Sequence, residues 1–178
     1  MMPLQNNRDV THKIAYISVM TALAAVTGYL EQLIPVNFFG IPGVKLGLAN
    51  IVSLIALYIF DAGYAFIIML LRVILIGAMF GNMYAILFGL AGGTLSILVM
   101  TALKRTGLFG IAGISAAGGV CHNLGQLMIA VFTLDSLNLI YYVPLLAVSG
   151  TVCGLVTGIT AGVVCDRIGG TGFNESGG

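Results

Sequence analysis

Six apolar runs, 14–35, 44–60, 64–80, 83–103, 110–134 and 140–165, leave this chain little sequence with which to meet water. A helix rises about 1.5 Å per residue and needs about 20 apolar residues to cross a hydrocarbon core of ~30 Å, so each run is a candidate transmembrane helix. Composition closes off the soluble alternative. Charged residues make up 7% of the chain, against about 25% in an ordinary soluble domain, and mean hydropathy is +1.09. The expected fold class is an all-α integral membrane protein with six transmembrane helices, and the lipid bilayer is its first partner. A net charge of +1 supplies no basic patch to neutralise phosphates, which excludes nucleic acid.

Only Asp61, Ala62 and Gly63 separate the second and third runs, so a tight helical hairpin is expected there. One helix over 44–80 would be about 55 Å long, almost twice the core thickness. The polar start "MMPLQNNRDVTHK" lacks the short apolar core and cleavage site of a signal peptide, so the first run is read as a retained span. The expected organisation is a tail over 1–13, a six-helix transmembrane domain over 14–167 and a flexible tail over 168–178. Arg8, Lys13, Lys104, Arg105 and Arg167 all fall on one side of six spans. The positive-inside rule makes that side cytoplasmic and places both termini there. The expected location is the cell membrane, multi-pass, of the bacterial plasma-membrane type.

Small residues recur at helical spacing. Gly150, Gly154, Gly158 and Gly162 form a strict i, i+4 stripe in the sixth run, and Gly89 and Gly93 repeat the relation in the fourth. Such stripes let a neighbouring backbone approach closely. The first run offers Ser18/Ala22, Thr21/Ala25 and Ala24/Gly28, which could pack internally or face another protein.

Polar residues inside spans are costly and face protein or a cavity. Here their depths agree. At the helical rise Arg72 lies about 13 Å from the outer end of its run, Gln126 about 12 Å, and Asn123 and His122 about 16–18 Å. Asn50 lies about 9 Å and Glu31 about 6 Å from the same side. His122 and Gln126 share a helix face with Gly118, and Asn123 sits 100° round from His122, one turn after Gly119. Isolated interhelical hydrogen bonds have no reason to prefer one leaflet, so the clustering predicts an outward-facing site. The expected substrate-binding set is Glu31, Lys45, Asn50, Arg72, His122, Asn123 and Gln126, in which the glycines hold space for a close helix or a ligand. The segment Phe38–Lys45, with Pro42, Gly40 and Gly43, is expected to close the site. Two alternatives stay open: pairing of Arg72 with Glu31 in place of a ligand, and a purely helix-bridging role for His122. No metal site is expected, since no second His or carboxylate has ligand spacing. The three cysteines are odd in number, lack CxxC spacing and read as small buried hydrophobes.

The segments "PGVKLGLANIVSL" (Pro42–Leu54), "LLR" ending at Arg72, "GGTLSILVMTALKR" (Gly92–Arg105) and "HNLGQL" (His122–Leu127) together resemble one family. It is the Gx transporter family, long labelled heptaprenyl diphosphate synthase component I, and the resemblance covers roughly residues 12–167. The family is similar to the substrate-binding S components of energy-coupling-factor (ECF) transporters. That implies a six-helix S-component bundle with substrate near the outer face. A subgroup is associated with flavin-based extracellular electron transfer. S components typically carry AxxxA in the first helix for docking a coupling subunit; this chain has Ala22 with Val26 and Ala24 with Gly28 instead.

Function follows by elimination. Prenyl elongation needs Mg²⁺ held by clustered aspartates. The six acidic residues, Asp9, Glu31, Asp61, Asp135, Asp166 and Glu175, are nowhere within five positions of one another. The chain is expected not to be an enzyme. It has no GxxxxGK[ST] motif and cannot drive transport with ATP alone. The leading expectation is a binding and translocation subunit for a small molecule, partnered by an ECF coupling subunit and ATPases. The first alternative is a membrane subunit of an electron-transfer assembly, handling flavin or quinone beside a redox partner. A lesser one is an accessory subunit of prenyl diphosphate synthesis. No resident cofactor is expected.

Overall fold

The computed structural model describes residues 5–33 and 47–169. Lys45 and the expected closing segment Phe38–Lys45 lie outside the described residues. The elements are α1 (Gln5–Leu33), α2 (Leu48–Ile59), α3 (Ala62–Phe80), α4 (Met83–Thr106), α5 (Ile111–Leu134) and α6 (Val143–Gly169), with a 3₁₀ segment over Leu137–Tyr142. This is an all-α membrane bundle.

Two helices depart from the apolar runs. α1 begins at Gln5, nine residues ahead of its run. Helix continuation needs only backbone hydrogen bonds, whereas apolar side chains are required only where lipid is met. α2 has 12 residues, starting after Gly47 in the left-handed conformation (φ 74°) that glycine adopts without a Cβ clash. Its length is about 18 Å, too short to cross the core alone. The other five helices are each long and apolar enough to cross. The hairpin between α2 and α3 stands at Asp61, whose side chain caps α3 by accepting from Ala62 N–H at 2.7 Å.

α2, α3, α4, α5 and α6 each pack against the next, and α6 returns to α2, so these five close a ring. α1 lies outside it against α2 and α3. Its inward face is Thr21, Ala24, Gly28 and Glu31, spaced 3, 4 and 3 residues apart, with Ala24 wholly buried. Ser18, Ala22 and Val26 are exposed on other faces.

The two halves of the ring differ. Leu57, Ile68, Ile114 and Cys165, each at most 1% exposed, fill the half near Lys104 and Arg105. Lys104 fixes where α2 ends, donating from Nζ to Leu57 O at 2.7 Å while standing 4.8 Å over the Tyr58 ring. A cation at a helix C-terminus meets otherwise unpaired carbonyls. Lys104→Met is expected to cost about 1 kcal/mol through loss of this charged hydrogen bond, read as a lower melting temperature. An unchanged melting temperature would show that water replaces the contact. Because α2 ends at this level and is short, it starts well inside the bundle. Beyond its start the wall is completed by the C-terminal end of α1, with Gly28 and Glu31. The outer surface is studded with exposed Val19, Leu23, Ile74, Leu98, Val152 and Ile159, as a lipid-facing surface requires.

Candidate functional site

The glycines of α5 and α6 set the positions of the polar side chains. A Cβ at Gly150 would stand 2.8 Å from the backbone of Gly119, one at Gly154 2.5 Å from Ser115 O, and one at Gly158 2.6 Å from Ala112 Cα. The stripe therefore joins α6 to α5, backbone to backbone. On its other side α5 meets α4 as closely: a Cβ at Gly125 would lie 2.8 Å from Ala91 O, and one at Gly92 2.7 Å from His122 O. Gly118 is filled by Met100 of α4, 2.6 Å from a Cβ position. The glycines beside His122 and Asn123 thus serve close helix approach; any open space lies further along the face. α3 is held to α4 in the same way, with Gly89 against Val73 and Gly93 against Met69.

Within this tight frame a cavity of about 130 Å³ lies mainly in the half away from Lys104 and reaches past the middle of the bundle to Met100 and Ser115. All six helices contribute to its wall. Glu31 comes from α1, Asn50 from α2, Arg72 from α3, and His122, Asn123 and Gln126 from α5. Six of the seven residues expected from sequence are therefore brought around one space, and Lys45 lies outside the described residues. Apolar side chains Leu54, Val73, Ile76 and Met100 share the lining.

The polar groups are engaged differently. Glu31, 8% exposed, accepts a hydrogen bond at Oε1 from Gly47 N–H, just before α2 begins. A backbone group at membrane depth needs such a partner. Arg72, also 8% exposed, donates from Nη2 to Asn50 Oδ1 at 3.4 Å, and its Nε is buried without an acceptor. The two charges line one cavity, yet each is held by a neutral group, and they form no ion pair with each other.

Asn123 bridges helices: its Nδ2 donates to Leu146 O at 2.9 Å and to Ser149 Oγ at 3.3 Å on α6. The His122 ring lies against Gly92. Gln126 lines the cavity and makes no side-chain hydrogen bond to other described residues. Sequence reasoning missed Cys153 and Thr157, which line the cavity one and two turns along the Gly150–Gly154 face. Their spacing from Gly150, three and seven residues, was the available signal. Nothing in the sequence pairs Ser149 with Asn123. Among the described residues no group of three or more His, Cys, Asp and Glu side chains is placed to hold a metal.

Residues 20–164 match the family described as heptaprenyl diphosphate synthase component I, and the chain belongs to that family. No curated protein and no solved structure matches it.

Proposed function

We propose, for this member of the heptaprenyl diphosphate synthase component I family, a role as a membrane subunit that binds a small molecule from the outer face and passes it across. One observation carries the reading: six helices surround a cavity with two buried charges and the Gln126 amide, which has no hydrogen bond to a described residue, while an apolar core fills the end of the ring near Lys104. Intramembrane polar side chains are retained at a cost, and a ligand offsets it. Energy for translocation comes from partners of the ECF coupling-subunit and ATPase type, since the chain carries no phosphate-binding loop of its own.

The family description favours one second reading, an accessory role in prenyl diphosphate synthesis. The scattered acidic residues argue that any such role is not catalytic. A flavin or quinone subunit gains less support. The described residues leave a cavity of about 130 Å³, close to the ~150 Å³ that takes up a benzene.

Copurification separates these readings. A coupling subunit with ATPases supports the first, a prenyl synthase the second, and a redox protein carrying flavin or quinone the third. Sidedness is tested by single cysteines in a background lacking Cys121, Cys153 and Cys165. A cysteine at 135 is expected to react with an impermeant reagent in intact cells, and one at 167 only after lysis. Labelling of 167 in intact cells would turn the cavity towards the cytoplasm and sink the uptake reading.

A further inference from the structure

We infer that the cavity takes a compact monocarboxylate, with the carboxylate seated on the Arg72 guanidinium. The inference rests on the binding reading above and narrows it to a ligand class. A guanidinium has five N–H donors. Arg72 spends one of them on another described residue, in a long 3.4 Å hydrogen bond to Asn50, and its Nε has no acceptor among the described residues although Arg72 is only 8% exposed. Buried donors without acceptors are costly, and those of a charged group more so. Glu31 lines the same cavity and offsets the Arg72 charge, but its carboxylate accepts from Gly47 N–H and takes no hydrogen bond from the guanidinium. What the described residues leave unmet is an acceptor for the remaining guanidinium N–H groups.

Two further features set its kind. α2 is 12 residues long and begins at the cavity, where its positive end favours anions and already holds the Glu31 carboxylate through Gly47 N–H. The planar guanidinium matches a carboxylate, which it can hold by two parallel hydrogen bonds. Arg72 and Glu31 together leave the described wall neutral, so a monoanion adds one negative charge to the site and a phosphate dianion adds two. The size of the cavity and its apolar wall of Leu54, Val73, Ile76 and Met100 suit a body of about one ring. Gln126 remains for a second polar group.

The test uses the full chain in lipid nanodiscs with benzoate, benzamide and inorganic phosphate as probes. Benzoate is expected to bind at least about tenfold more tightly than benzamide, the difference one charged hydrogen bond makes. Phosphate is expected not to bind. Arg72→Gln should abolish benzoate binding. Glu31→Gln keeps an acceptor for Gly47 N–H, removes a like charge and should tighten benzoate severalfold, so the test does not depend on Arg72→Gln folding. Equal binding of the amide, preference for phosphate, or loss of benzoate binding in Glu31→Gln overturns the inference; the last outcome would mean that the ligand brings a cation to Glu31. If no probe binds, small molecules released from gently purified protein decide. A released monocarboxylate upholds the inference. A compound without one overturns the inference and leaves the binding reading standing, and no compound at all overturns both.

Discussion

Gly154→Leu is expected to abolish the stably folded bundle, while Gly162→Leu leaves it close to wild type. The two positions belong to one sequence stripe, yet their surroundings differ. A Cβ at Gly154 would meet Ser115 O at 2.5 Å and Ala116 Cα at 2.7 Å. Both are backbone atoms of a helix clamped on its far side by α4, so α5 cannot retreat without breaking the Gly125–Ala91 and Gly92–His122 contacts. At Gly162 the nearest atom is Ile111 Cγ2 at 3.1 Å, the end of a side chain that can rotate away. Overpacking a well-filled core costs about 1–3 kcal/mol where side chains can adjust, and more where only backbone can move. Gly154→Ala, which adds only the Cβ, should fall in that 1–3 kcal/mol range. The measurement is detergent-resistant folded yield and melting temperature across the three variants. Equal tolerance at 154 and 162 would show that the α5–α6 contact is not backbone to backbone.

How much of this was legible beforehand varies from element to element, for physical reasons. Lipid imposes one requirement on every long span, so the extents of α3, α4 and α5 follow the apolar runs to within a few residues. α2 is the exception that matters. Its apolar run is long enough to suggest a crossing, but the start of a helix is decided by backbone conformation at Gly47, which hydropathy does not report. The shared depth of Arg72, His122 and Gln126 was readable because helical rise converts sequence position into depth. Which way each side chain spends its hydrogen bonds was not. Depth does not say that Asn123 turns to Leu146 O while Gln126 does not, since the difference arises from the rotation of α5 against α6. The Arg72–Glu31 pair, equally open on sequence grounds, is replaced by two separate bonds because Gly47 N–H, ahead of α2, takes the carboxylate and Asn50 takes the guanidinium.

That division predicts opposite outcomes for two neighbours on α5. Asn123→Leu should lower the melting temperature, because it removes the hydrogen bonds to Leu146 O and Ser149 Oγ that tie α5 to α6. The expected cost is about 1 kcal/mol, or roughly 2–4 °C for a chain of this size. Ligand binding by the protein that remains folded should change little. Gln126→Leu should do the reverse. Its amide has no hydrogen bond to another described residue, so an apolar side chain of similar size strands no partner and the melting temperature should hold within about 2 °C. Binding of whatever small molecule copurifies with the wild type should fall by about tenfold or more, the loss of one or two polar contacts to the ligand. The discriminating quantity is the ratio of the two effects in each variant, because a general weakening of α5 would move both together. If Gln126→Leu destabilises the bundle as much as Asn123→Leu while the folded fraction still binds normally, Gln126 is interhelical glue. His122, Asn123 and Gln126 would then be retained in a membrane helix for its packing and not for a ligand.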